Sequence, residues 1–224
     1  VKKKAGEYFS TIRDGNLVTK LPVVEEQSEP ALLVHYKKTD QTHFHLGFRS
    51  CNMYDNRKYA LGILGIVLGG GMSSRLFEEV RDKRGLAYYV GAGNDTATDA
   101  GYFMVKAGVN NEKVYEAIKV IMDEIRKIKD NGITAEELQR AKDNISGSMA
   151  LGLEHSDAVA NAYAGPVLFE NKVLTPEEEL VKIKKVILQE VHNVAKEVFD
   201  NAKLNLAVIG PFEDDKIFKR ILNI

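Results

Sequence analysis

At 224 residues with 44% hydrophobic content, the chain is long enough to bury a core as one large domain or two small ones, and nothing in its composition suggests disorder. Its 31 basic and 32 acidic residues give a net charge of −1, and the locally basic runs "VKKKAGEY" and "VKIKKVI" form no patch with interleaved aromatics, so nucleic acid is not an expected partner. The single cysteine, Cys51, excludes an internal disulfide and a cysteine-based metal cluster, no apolar run reaches the length of a membrane span, and the start has neither a signal-peptide core nor an initiator Met. The expectation is a cytoplasmic protein with no membrane partner, whose chain begins inside a longer gene product.

Residues 1–20 read as the end of an earlier helix followed by a loop, and "LPVVEEQSEPAL" reads as a linker because its prolines and acids oppose regular structure. The runs "ALLVHYKK" (31–38) and "THFHLGFRS" (42–50) have strand character and flank Thr39-Asp40, which predicts a hairpin although the turn lacks Asn-Gly or Asp-Gly. A two-residue turn there pairs position 36 with 43 and 34 with 45, placing His43 and His45 on one face and His35 on the other. "NRKYALGILGIVLGG" is helical and closed by Gly69–Gly71, after which Ser73 or Ser74 caps a helix running through Arg81. "AYYVGAGND" and "GYFMVKAGV" alternate as a second antiparallel hairpin around "TATDA".

From residue 110 onward helices dominate. Val114, Ile118, Ile121, Ile125 and Ile128 recur at three- and four-residue spacing, Asn131-Gly132 ends that helix, and Thr134 with Glu137 makes a capping box for the next. Thr175, Pro176 and Glu178 start another in the same way, and the strand "KLNLAVIG" precedes a short terminal helix. Strand hairpins interleaved with helices, without regular βαβ alternation, predict an α+β fold: an antiparallel or mixed sheet with helices packed on one face, in a domain spanning 21–224. Strands 42–50, 86–94 and 101–109 are expected to share that sheet.

Several groups invite a chemical reading that their surroundings do not support. Three imidazoles could hold a catalytic zinc, but the hairpin puts only His43 and His45 together, with no acid in the strand, so they read as ordinary strand histidines. "LGLEH" (151–155) approaches His-x-x-Glu-His, yet Leu151 stands where the first ligand belongs. "GGGMSS" has no lysine at the phosphate-binding position and follows a helix, which makes it a turn. Cys51 has no neighbouring base, and the two serines serve as caps.

The stretch "EEVRDKRGLAYYV" (78–90) leaves the most open. Cations in the last helical turn suit the exposed carbonyls there, and Gly85 is the residue expected at a helix C-terminus. Glu78 stands three residues before Arg81 and could pair with it, while alternation allows only one of Tyr88 and Tyr89 on a given face.

With its surroundings, "LGGGMSSRLFEEVRDKRGLAYYVGAG" closely resembles the C-terminal half of the pitrilysin/insulinase family of zinc metallopeptidases, in the branch that includes the mitochondrial processing peptidase and its bacterial relatives. The likeness continues through "GYFMVKAGV", "GITAEELQRAKDNISGSMALGLEHSDAVANAYAG", the Thr-Pro-Glu-Glu helix start and "LNLAVIGPF", so it covers residues 20–224, with "EYFSTIRDG" like the tail of a preceding half. The resemblance implies two similar α+β halves closing around an unfolded peptide, with the zinc motif in the N-terminal half or on a partner chain and no metal ligand in this one. It also implies that an Arg and a Tyr seven residues apart, here Arg81 and Tyr88, reach across to contact the substrate backbone near the scissile carbonyl. The implied function is the substrate-binding, active-site-completing domain of a zinc metalloendopeptidase, inactive by itself. Some relatives are non-catalytic core subunits of respiratory complex III, which makes an assembly subunit the alternative. The glycine-rich segment is short, so presequence recognition is not implied.

Overall fold

Among the described residues five strands form, most of them on alternating apolar and polar residues: β1 (Ala31–Tyr36), β2 (Gln41–Ser50), β3 (Ala87–Thr96), β4 (Gly101–Asn110) and β5 (Leu204–Gly210). In the computed structural model, which describes residues 1–13, 15, 20–170 and 173–223, they form one mixed sheet in the order β1-β5-β2-β4-β3. Phe44, Leu46 and Phe48 of β2, Phe103, Val105 and Ala107 of β4, and Leu204, Leu206 and Val208 of β5 are buried on one face. Of the residues between them, His43, His45, Lys106, Ala207 and Ile209 are exposed on the other. One side of the sheet therefore carries the core and the other stays open.

The helices are α1 (Lys2–Phe9), α2 (Arg57–Gly69), α3 (Val114–Asn131), α4 (Ala135–Gly152), α5 (Ser156–Phe169), α6 (Pro176–Lys185), α7 (Leu188–Val198) and α8 (Lys216–Ile221). On the core face α2 packs on β3 and β4, α3 on β4 and α7 on β2, which is the α+β arrangement expected. All five periodic apolar residues of α3 are fully buried, and both predicted capping boxes form, Thr134 with Glu137 and Thr175 with Glu178. Gly132 closes α3 with φ +75°, a left-handed conformation that favours glycine. Helix α1 buries none of its residues; the reading of 1–20 as a tail falls partly on 14 and 16–19, outside the described residues.

Helix α2 crosses β3 on glycine. A Cβ on Gly65 would lie 3.0 Å from Gly93 Cα, and one on Gly69 would overlap the backbone nitrogen of Ala92. Neither neighbour is a side-chain end that could swing away, so helix and strand approach as backbones. Gly69→Ala is expected to cost about 1–3 kcal/mol by overpacking, read as a lower urea midpoint with an unchanged slope.

The first predicted hairpin does not form. β1 pairs in parallel with β5, and β5 pairs antiparallel with β2, so the last strand inserts between the first two. The physical reason lies in β5: Leu204, Leu206 and Val208 are all buried, and an inserted position pairs the strand's backbone on both edges. Thr39 instead bends the connection, its hydroxyl donating to the Gln41 carbonyl at 2.8 Å while its own carbonyl accepts from Asn111 Nδ2 at 2.8 Å. His35 moves as a consequence. Both His35 and His43 register with Ile209, so His35 shares the open face with His43 instead of opposing it.

Candidate active-site face

Arg81 sits in a π-helical turn spanning Phe77–Asp82, wider than the α-helix expected. Its bonds run long: Lys83 N–H donates to Glu78 O at 2.9 Å, and Leu86 N–H donates to Val80 O at 2.8 Å. Gly85, at φ +56°, makes the turn that leads into β3. Ser74 precedes the helix, but its hydroxyl donates back to the Gly71 carbonyl at 2.6 Å instead of capping. Single π-turns are frequent at functional positions. This one is tied to the start of β3 by the Leu86 bond, which leaves little slack between Arg81 and Tyr88.

The cations around it are paired. Arg75 makes a two-pronged bond to Glu137 at 2.6 and 2.8 Å, Lys83 bonds Glu78 and Glu79 at 2.8 and 2.7 Å, and Arg84 bonds Glu79. Glu78 therefore turns to Lys83 and not to Arg81. Among the described residues Arg81 has no carboxylate partner; its guanidinium lies over the Phe77 ring, 4.9 Å from the centroid. Lys83 and then Arg84 hold the Glu79 carboxyl down at about 2, against 4.5 for a free glutamate. A lowered folded-state value stabilises the fold above pH 4.5 and loses that contribution as pH falls towards about 2. Solvent screens this site, so the stability difference between wild type and Glu79→Gln should be no more than about 1 kcal/mol at neutral pH and vanish at the acid end of a pH series of urea melts.

At the start of β3 the register breaks. Ala87 pairs with Val109 and Tyr89 with Gly108, which leaves Tyr88 as the extra residue of a β-bulge. Strict alternation would have put the two tyrosines on opposite faces. Instead both turn away from the core, Tyr88 being 55% and Tyr89 40% exposed, between the buried Ala87 and the core-packed Val90. Tyr89 is engaged: its Oη lies 3.0 Å from His43 Nδ1, and the two rings stack with centroids 6.0 Å apart. Tyr88 makes no side-chain hydrogen bond among the described residues. Further along the open face a groove of about 420 Å³ runs past Leu33, His45, Arg49, Tyr102 and Met104.

His35 and His43 flank the same residue of β5, about 10 Å apart across two strand spacings, and His43 is in contact with Tyr89. Among the described residues no group of three or more His, Cys, Asp or Glu could hold a metal ion, so these residues do not fit a zinc site. "LGLEH" falls at the junction of α4 and α5, with His155 as the residue before α5. Cys51 is buried, and burial raises its thiol pKa. No helix of the described residues is long and apolar enough to cross a membrane.

The class these features define is an α+β domain with one mixed five-stranded sheet and its helices packed on a single face. The chain belongs to peptidase family M16: residues 1–145 match the Peptidase M16 inactive domain. It is 38% identical over 178 residues to an "uncharacterized zinc protease" of Streptomyces coelicolor, covering 80% of this chain and 39% of that protein. A protease from Helicobacter pylori superposes with TM-score 0.84 at 24% identity, over 94% of this chain and 52% of the other. A chain of Complex III2 from Candida albicans superposes with TM-score 0.75 at 16% identity, over 87% and 48%. These two likenesses are of fold. The chain spans about half the length of the curated relatives it matches, or less.

Proposed function

We propose that this chain is the substrate-binding, active-site-completing half of a zinc metalloendopeptidase acting on peptides, with zinc held by an N-terminal half or a partner chain. The observation that carries the reading is the state of Arg81 and Tyr88. In a turn where Arg75, Lys83 and Arg84 are neutralised by carboxylates, Arg81 is left exposed on Phe77, and the next element bulges at Tyr88. A guanidinium and a phenol so placed are donors only lightly committed within the fold. They orient a peptide by hydrogen bonds to its carbonyls and donate to the oxygen that gains charge as the scissile bond is attacked.

The competing reading is a non-catalytic assembly subunit, and the likeness to a Complex III2 chain supports the fold needed for it. That role calls neither for an arginine without a carboxylate partner among the described residues nor for a bulge at Tyr88. The test is peptide cleavage by a zinc-bearing half with and without this chain. Activity that appears only when the two are combined supports the proposal; a zinc-bearing half that cleaves equally well without this chain refutes it.

A further inference from the structure

The geometry points to His43 as a positioning residue: by binding the hydroxyl of Tyr89 it ties down the second phenol and anchors the bulge that presents Tyr88. This assignment rests on the proposed role of Tyr88 as a substrate-contacting group.

The argument starts from an ambiguity in the sequence. Two adjacent tyrosines face one partner, since Ala87 is fixed opposite Val109 and Val90 opposite Ala107, leaving only Gly108 between them. One tyrosine must cover Gly108 and the other must be extra. Both phenols are exposed, and either could approach a peptide lying on this face.

The row across three strands removes the ambiguity. His43 pairs with Gly108 and Gly108 pairs with Tyr89, so His43 and Tyr89 are two strand spacings apart, about 10 Å between Cα atoms. Their rings meet only because the residue between them has no side chain. A Cβ on Gly108 would overlap Tyr89 Cε1 and sit 3.1 Å from His43 Nδ1. Over that gap the rings stack at an interplanar angle of 21° and the polar atoms close to 3.0 Å.

The contact does two things for Tyr88. It occupies the neighbouring hydroxyl, which would otherwise compete for the same carbonyl oxygen. It also fixes the residue just after the bulge, while the Leu86 N–H bond to Val80 fixes the approach from the other side. A bulge held at both ends keeps its extra residue in one orientation, the condition for a donor that must meet a transition state without reorganising.

The experiment uses the assembled enzyme with tyrosine-selective isotope labelling of this chain, Tyr88 and Tyr89 being assigned by their Phe variants. His43→Ala is expected to move and broaden the ring signals of both tyrosines while leaving Tyr102 unchanged. It should lower kcat by about tenfold or more with KM within about twofold, as a misplaced group does. His43→Asn, which keeps a polar atom near the Nδ1 position, should restore most of the rate. Gly108→Ala should reproduce the loss with His43 still in the chain, because its methyl displaces the Tyr89 ring and breaks the contact between the two. Unchanged Tyr88 signals in His43→Ala, or wild-type kcat in that variant alongside an inactive Tyr88→Phe, would overturn the assignment. Full turnover by Tyr88→Phe would overturn the role of Tyr88, and the positioning role with it, whatever the spectra show.

Discussion

Tyr88→Phe in the assembled peptidase is expected to lower kcat by about 10²–10³-fold, roughly 3–4 kcal/mol of transition-state stabilisation, the usual loss when one donor to a developing oxyanion is removed. The substitution deletes a hydroxyl that has no hydrogen-bond partner among the described residues, on a ring already 55% exposed, so the melting temperature should hold. Arg81→Ala is expected to fall in the same range. Were Arg81 there only for the carbonyls at the end of its turn, its loss would cost no more than about 1 kcal/mol of stability and leave turnover nearly intact. Running cleavage and thermal melts on both variants separates the two cases.

The largest effect on stability is expected at Phe199. Phe48 and Phe103 are direct partners across β2 and β4, and Phe199, which follows α7, meets both edge-on with ring centroids at 5.1 and 5.3 Å. All three rings are buried. Phe199→Ala therefore opens a cavity where helix layer and sheet join, and should cost about 3–5 kcal/mol, measured as a shift in urea midpoint. Phe199→Leu, which refills most of that volume, should cost distinctly less. Equal and small losses for both would mean that the contact between layers lies elsewhere.

What could be read from the sequence was local. The three- and four-residue spacing from Val114 to Ile128 has one helical solution, and Thr134 with Glu137 or Thr175 with Glu178 satisfies backbone donors within four residues. Gly85 and Gly132 marked turns for the same reason. Long-range pairing was not legible: nothing near Thr39 announces that a strand some 165 residues later will slide in beside it, because a strand's partners are set by the whole core. That miss carried a second one, the face of His35.

At the site, the residue types were readable and their presentation was not. The spacing of Arg81 and Tyr88 is visible in the sequence, and the family resemblance gave it meaning. The π-turn under Arg81 leaves no mark in a pattern of apolar residues, because one added residue per turn still permits the same buried Val80. The doubled tyrosine and the glycine at 108 were the available signals for the bulge, since two large residues opposite a position without a side chain suit an uneven ladder. Histidines on a strand invite a metal reading, whereas the actual partner of His43 lies two strands away.

The measurement that bears most directly on the central claim is a titration of the zinc-bearing half with this chain, following the rate of peptide cleavage to saturation. Completion of an active site predicts a rate that rises from baseline to a plateau. It further predicts that a chain carrying both Arg81→Ala and Tyr88→Phe saturates at the same concentration but at a plateau at least about 10²-fold lower. Matching plateaus for the wild-type and doubly substituted chains would contradict it, and would leave this half as a partner in assembly with no part in the chemistry.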